Sequence, residues 1–464
     1  MFKNKRLYLC LFLLITLILT GAGCTKGVSP EVRKASRPIT LNWWSPFLES
    51  EDVTPLIEAY RAIHPNVTIN FRRIRYEDYK KELLNALAED RGPDIFSLHN
   101  TWLREWKTKL VPMPKTVTLP YQEVRGGFKK EVVTVLRTTP TLGIKGIKNN
   151  FVSVVENDAI LSSDDPTEAN QIYGLPLSVD TLALYYNRDL LNLAGIPGPP
   201  TTWAEFREMV KKLTKFDQEG KLVQSGAALG TARNIERAAD ILALLMMQNG
   251  AEMINEREQV AFDKIPAGLK ERGVPPGEEA LIFYTDFANP TKEVYTWNEE
   301  MPNSLQAFAA GKTAFFFGYS YHLPLLRNLA PRLNFAVTAM PQVDPEKPIN
   351  FANYWLETVS KKTKSIDFAW DFIQFATSYN QVKNYLERAK KPTALRALVV
   401  QQAEDLDLGP FVSQVLTARS WYQGKDAQAA EEAFLEMIEQ VNKGEVEPKN
   451  ALRLAAKKVE QTLR

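Results

Sequence analysis

The first hydrophobic block of the chain, Leu7 to Leu19, is thirteen residues long, too short for an ordinary spanning helix, which needs about 20. It follows the basic start Met1-Phe2-Lys3-Asn4-Lys5-Arg6 and ends in Thr20-Gly21-Ala22-Gly23-Cys24, the order of an export signal rather than of a folded element. Gly27 to Arg37 is mostly polar, with Pro30 inside and Pro38 just after, and reads as an irregular tether. Periodicity then sets in. Ile39, Leu41 and Trp43 alternate with Thr40, Asn42 and Trp44, which predicts a strand. Val53, Leu56, Ile57, Tyr60 and Ile63 follow at helical spacing and stop at Pro65. Val67, Ile69 and Phe71 return to a period of two. Tyr79, Leu83, Leu84 and Leu87 predict a second helix, and Gly92-Pro93 leads into the apolar run Ile95 to Leu98. Strand, helix, strand, helix, strand predicts a parallel sheet with crossover helices. Ligands of such sheets sit at the carboxyl ends of strands, the place of Trp44 to Glu51 and of His99 to Trp102.

From about Leu110 to Gln171 the pattern weakens, and the stretch reads as an elaboration. A second α/β region begins near Leu175 with the strand-like run Leu182 to Tyr186. Thr202 and Glu205 form a capping box ahead of Trp203, Phe206, Val210 and Leu213 at helical spacing. Asn234 to Gln248 predicts a strongly apolar helix. Asp367 to Thr377 predicts one apolar on most of its surface, and Leu452, Ala455, Val459 and Leu463 form a last helical stripe. Trp43, Trp203, Trp297 and Trp370 are core candidates. No internal repeat or low-complexity tract interrupts the series.

Composition narrows the chemistry. The only cysteines are Cys10, inside the signal, and Cys24, so the mature chain has no intrachain disulfide and is held by its core. Loss of Lys3, Lys5 and Arg6 with the signal turns the formal charge of +2 into −1, which offers nucleic acid no electrostatic footprint. Enzyme motifs fail on inspection. Gly311-Lys312-Thr313 resembles the end of a phosphate loop, but Gln306 stands where its first glycine belongs. Gly318-Tyr319-Ser320-Tyr321-His322 lacks the last glycine of a nucleophile elbow. His64, His99 and His322 have no zinc-ligand spacing. Carboxylates are plentiful enough for a glycosidase, though nothing points to one.

Several stretches, in order, carry a family resemblance: Leu41-Asn42-Trp43-Trp44, Arg91-Gly92-Pro93-Asp94-Ile95, and above all Tyr173-Gly174-Leu175-Pro176-Leu177-Ser178-Val179-Asp180-Thr181 with Leu184-Tyr185-Tyr186-Asn187. Gly311-Lys312-Thr313-Ala314, Phe317-Gly318-Tyr319, Asn353-Tyr354-Trp355 and Ala369-Trp370-Asp371-Phe372-Ile373 continue it. The chain resembles the extracellular solute-binding proteins of ABC importers, the family typified by the maltose-binding protein. Cys24 and its small neighbours likewise resemble the lipobox of bacterial lipoproteins, with Gly21 where leucine is usual. Gly21 and Gly23 also suit ordinary signal peptidase cleavage, which would leave Cys24 unlipidated.

The resemblance implies an α/β protein of two discontinuous lobes around a hinge and a ligand cleft. It divides the chain into a signal (1–23), a tether (24–37), one lobe (38–178 with 352–400) and a second (179–351 with 401–464). It implies a small polar solute, a sugar or oligosaccharide first, together with ABC permease subunits as partners. It implies also a membrane tether through lipid on Cys24, no cofactor or metal, no nucleic acid, and a monomer. A sugar cleft combines aromatic platforms for C–H faces with a few polar groups for hydroxyls. Trp44 and Glu49, in the first strand–helix loop, are candidates, with plain packing as the alternative for Trp44. Asn100 and Trp102 occupy the family's second binding loop. Asp180 stands where the chain crosses between lobes, as a ligand carboxylate or a hinge hydrogen bond. Tyr319 and Tyr321 follow Phe317-Gly318, Trp355 resembles a ligand-contacting position, and Trp421 matches a late aromatic that closes over sugars. Asn234 would open its helix toward the cleft or serve only as an N-cap. The readings from other classes are an exported glycoside-processing enzyme and a sensor or adhesin subunit that no longer transports.

Overall fold

The computed structural model describes residues 29–463 except 127–129 and 164–168; the expected signal and Cys24 lie outside the described residues. In the first lobe β1 (Ile39–Ser45), β2 (Val67–Arg73) and β3 (Ile95–His99) run parallel with β1 central, and β15 (Trp355–Val359) adds antiparallel to β3. The alternation of β1 puts Leu41 and Trp43 into the core beside Phe71 and Phe372. The crossover helices Ser50–Ile63 and Tyr76–Ala88 bury Val53, Leu56 and Tyr60, and Tyr79, Leu83 and Leu87. Deep in this core Glu357 accepts hydrogen bonds from Trp43 Nε1 at 2.6 Å and Ser97 Oγ at 2.8 Å. The core draws on Leu41 to Val179 and Ala352 to Ala418, so Leu408, Val412 and Val415 carry it past residue 400.

The second lobe is built on a five-stranded sheet. Its strands in spatial order are β10 (Lys215–Phe216), β11 (Leu222–Ala227), β12 (Thr313–Gly318), β9 (Ala183–Asn187) and β13 (Phe335–Thr338). The Thr202–Glu205 capping box is present and starts the Trp203–Leu213 helix, and Trp203, Trp297 and Trp370 are buried. The second core takes Leu182 to Phe351 and returns in Tyr422 to Val459, on the helices Ala427–Asn442 and Pro448–Thr462. Between the lobes the chain crosses three times. The crossings β8 (Asp180–Thr181), β14 (Asn350–Asn353) and β16 (Ala418–Arg419) pair with one another as a three-stranded sheet with β14 in the middle.

Two expectations are corrected, and the elaboration after Leu110 takes a definite form. The apolar helix runs Ala238–Gln248, not from Asn234, because Arg237 before it takes a left-handed backbone (φ 57°). Pro30–Ala35 is a helix rather than an irregular tether. Ser29 caps it and Pro30 sits at its first turn, where proline lacks nothing a helix needs. The weakly periodic stretch after Leu110 holds a long two-stranded ribbon, β4 (Thr116–Arg125) with β5 (Glu131–Pro140), and a small pair, β6 (Ile160–Leu161) with β7 (Gln171–Ile172). The ribbon buries Val117 and Leu119 and packs on the Ile366–Ala376 helix, where Thr118 N donates to Asp367 Oδ2 at 3.0 Å.

Candidate functional site

Five rings converge at the carboxyl ends of the first-lobe strands. Phe47 follows β1, Tyr76 begins the helix after β2, His99 ends β3, Trp102 lies just beyond it, and Trp355 opens β15 opposite His99. Trp355 is the centre, with ring centroids at 5.3 Å to Phe47, 5.3 Å to Trp102, 5.4 Å to His99 and 6.2 Å to Tyr76. Phe47 and Tyr76 stack at 5.3 Å and remain 43% and 47% exposed. Rings this close touch, so they form a continuous wall rather than a hollow cage. The wall is apolar in its middle and polar at its edges. Lys80 Nζ sits 5.3 Å over Trp102, and Lys391 Nζ donates to the Phe47 carbonyl at 2.8 Å. Burial lowers the Lys391 pKa, against the opposing charges of Asp52, Asp180, Glu49 and Glu357.

His99 is fixed on both sides, Nδ1 with Thr101 Oγ1 at 2.7 Å and Nε2 with Asn353 Oδ1 at 2.8 Å. Burial lowers its pKa to about 4, so the ring is neutral at pH 7. Arg237 and Asp240 of the second lobe act on the same ring, as Arg237 and Glu431 act on Tyr76, whose pKa burial raises. Arg237 therefore lies within electrostatic reach of the aromatic wall. Its guanidinium is held by Asp240, Nε at 2.8 Å and Nη2 at 3.0 Å, and lies 3.6 Å from Glu431, with 28% of its side chain open. Tyr319 donates its hydroxyl to the same Asp240 at 2.6 Å, and Tyr321, 45% exposed, stacks on Tyr319 at 5.9 Å. An apolar wall on the first lobe thus has a cluster of hydrogen-bonding and charged groups of the second lobe within electrostatic reach.

The sequence candidates divide between the cleft and its supports. Trp102 and Trp355 belong to the wall, and Tyr321 is open beside Arg237. Tyr319 is fully buried and stands behind Tyr321. Trp44 makes none of the wall's ring contacts and lies under the Arg72 guanidinium at 4.9 Å. Glu49 precedes the Ser50–Ile63 helix at the N-cap position, where its side chain makes no capping bond and pairs instead with Arg73. Asp180 spends both oxygens at the crossing, Oδ1 on Thr181 N (2.8 Å) and Oδ2 on Ser320 N (2.9 Å) and Oγ (2.6 Å). Burial raises its pKa to about 7. Asn100 is buried and donates to Asp158 Oδ2 at 3.0 Å, which also accepts from Tyr354 OH at 2.7 Å, while Asp158 Oδ1 accepts from Ser420 Oγ. Asn234 braces a loop. Its amide donates to the Asn298 and Met301 carbonyls, and its oxygen accepts from Thr231 and from Trp297 Nε1. Trp421 packs within the second lobe on Phe434 (5.2 Å) and Tyr422 (5.5 Å).

Sequence reasoning missed Phe47, Tyr76, Arg237 and Glu431. Phe47 lies inside the strand-end stretch Trp44 to Glu51, and the strand-end rule applied to β2 would have found Tyr76. The lobes also touch beside the cleft, where Arg104 of the first reaches Glu258 Oε1 (3.0 Å) and Gln423 Oε1 (2.7 Å) of the second.

A family model described as bacterial extracellular solute-binding protein matches residues 48–383. A putative binding protein of Brucella abortus (strain 2308) is 20% identical over 291 residues, 61% of this chain; the match spans only 58% of that protein's length. A galactooligosaccharide-binding protein of Bacillus subtilis (strain 168) is 23% identical over 232 residues, 49% of this chain and 50% of that one. Among solved structures, the cyclic alpha-maltosyl-1,6-maltose binding protein from Arthrobacter globiformis superposes with a TM-score of 0.70 at 17% identity, over 92% of this chain and 99% of that one. At that identity the likeness shows the fold alone.

Proposed function

The chain belongs to the bacterial extracellular solute-binding protein family, and from that premise we propose that it captures a small polar solute between its lobes for an ABC importer. The solute is a sugar or oligosaccharide, delivered to permease subunits in the membrane. The observation that carries this reading is the contiguous wall of Phe47, Tyr76, Trp102 and Trp355, with Arg237 and Glu431 of the second lobe within electrostatic reach of it and Tyr321 open on that same lobe. A pyranose has C–H faces for such a wall and a rim of hydroxyls for such charges. Because the rings touch, they fit a flat face rather than enclose a cation, which a quaternary ammonium cage would do. Lys391 and Lys80 add donors at the edges of the wall.

Closure would bring the wall and that cluster together, and the ligand would favour the closed state only by its differential affinity for it. Export and a lipid anchor on Cys24 complete the reading, and support for them lies in the order of residues 1–24. The test is a thermal-shift screen of the mature chain against mono-, di- and oligosaccharides, polyols and glycerophosphate compounds. A ligand at a hundredfold excess over its Kd adds about 2.7 kcal/mol to folding stability. The expected result is a shift with one saccharide class, with no consumption of the compound. Shifts confined to other solutes would remove the sugar assignment, and turnover would make the protein an enzyme.

A further inference from the structure

The β4–β5 ribbon is the part of the first lobe that solute capture leaves without a task. Its root is held by the Ile366–Ala376 helix, and Tyr121 still reaches the His64 ring at 4.8 Å. Beyond Tyr121 it leaves the body. Val124 and Val132 stand directly opposite in register, so both side chains share one face, and they are 65% and 63% exposed. Exposed β-branched residues at the end of a ribbon with two open edges invite a partner.

The position of the ribbon says which partner. The Pro30–Ala35 helix packs against both ribbon strands. Asn66, at the start of β2, donates to the Ala35 and Arg37 carbonyls at 3.4 and 3.2 Å. Helix and ribbon therefore share the pole at the amino ends of β1 and β2, the opposite end of the sheet from the cleft. Cys24 precedes Pro30 by six residues, and six residues span at most about 20 Å. An anchor at Cys24, on which this inference rests, would hold that pole against the bilayer. The pole is also basic. On the described residues of that helix and ribbon, Arg33, Lys34, Arg37, Arg125, Lys130 and Arg137 outnumber Glu31, Glu123 and Glu131 by three, with Glu123 paired to both Arg125 and Arg137 and Asp367 at the ribbon's root, in a mature chain that is formally −1. A basic residue near an anionic leaflet is worth about 1 kcal/mol.

We propose that the outer end of the β4–β5 ribbon, at Val124 and Val132, rests on the anionic phospholipid surface of the membrane that carries the Cys24 anchor. Val124 and Val132 enter the headgroup layer, and the surrounding cations meet lipid phosphates. A single acyl chain binds marginally, and several chains or a chain plus a basic patch bind firmly; the ribbon adds orientation to that attachment and keeps the cleft at the far end of the lobe.

The test uses the lipoprotein with Val132→Cys, purified from membranes and labelled with an environment-sensitive dye. Cys10 leaves with the signal and the lipid occupies the Cys24 sulfur, so one label per chain is expected. In vesicles of phosphatidylglycerol and phosphatidylcholine the dye should shift to the blue and lose its quenching by aqueous iodide. Arg125→Glu with Lys130→Glu should reverse both. A singly labelled chain whose dye keeps its aqueous spectrum overturns the proposal. So does protection that appears only when the permease is co-reconstituted, which would assign the outer end to a protein partner. Two labels per chain would instead reveal a free Cys24 thiol and overturn the anchor reading itself.

Discussion

Glu357→Gln offers a test of the first lobe's interior. The Glu357 side chain is buried (3% exposed) two residues beyond Trp355, where Trp43 Nε1 and Ser97 Oγ donate to it. Burial raises its pKa from 4.5 to about 7, against those two hydrogen bonds and the more distant Lys391 charge. For an acid whose pKa is higher in the fold than in the unfolded chain, the native state binds the extra proton. Stability is therefore greatest below pH 4.5 and falls as pH rises to 7. A displacement from 4.5 to about 7 corresponds to about 3 kcal/mol lost across that window. Glutamine can accept from Trp43 through its oxygen and donate to Ser97 through its nitrogen, so the variant keeps the contacts without the titration.

Other groups titrate in the same range. Asp180 shares the sign of Glu357. His99 and His322, both lowered to about 4, oppose it by adding stability as pH rises toward 6.5. They are common to both proteins and cancel in the comparison. Thermal unfolding of wild type and variant at pH 5 and pH 8 should show the variant gaining most of that 3 kcal/mol at the higher pH. At about 2–4 °C per kcal/mol for a unit the size of one lobe, the relative melting temperature moves by several degrees. If both proteins change in parallel between the two pH values, Glu357 is ionised throughout and the reasoning fails.

Trp355→Ala removes the centre of the aromatic wall and should weaken binding of the saccharide found in the screen by about 1–3 kcal/mol, about five- to 150-fold by calorimetry. Glu258→Asn suits the left-handed backbone there (φ 56°) and cuts the Arg104 bridge between lobes. For so exposed a pair the cost is about 0.2–1 kcal/mol, read as a small loss of affinity that disappears at high salt. Asn234→Ala strands a buried indole N–H and two carbonyls, and should lower folding stability by about 2–4 kcal/mol while the folded fraction binds solute as before.

The legible parts of the chain were those whose neighbours are fixed by burial. Strand β1 announced itself because Leu41 and Trp43 pack on one side of a sheet, and the Thr202 capping box because its partners are three residues apart. The ribbon escaped notice although Val117, Leu119 and Tyr121 alternate with polar residues. Pro120 interrupts that pattern, and toward its tip no core enforces a period. The helix start at Ala238 was displaced because Arg237 bends backward to meet Asp240, a choice made by tertiary contacts rather than local preference. In the site, Trp102 and Trp355 could be seen from their strand ends. Tyr76 and Arg237 could not be paired from sequence, since only the approach of the two lobes brings them within electrostatic reach.

The three crossings between lobes have a mechanical consequence. Since β8 and β16 are both hydrogen-bonded to β14, with Thr181 Oγ1 further tied to the Phe411 carbonyl and Gln414 to that of Leu182, no connecting strand can swivel alone. A hinge built on these crossings would therefore favour rotation about an axis through that small sheet over independent movement of any one strand. On the proposed function, the angle between lobes would then be the coordinate that a receiving permease reads, with the same meaning whichever solute sets it.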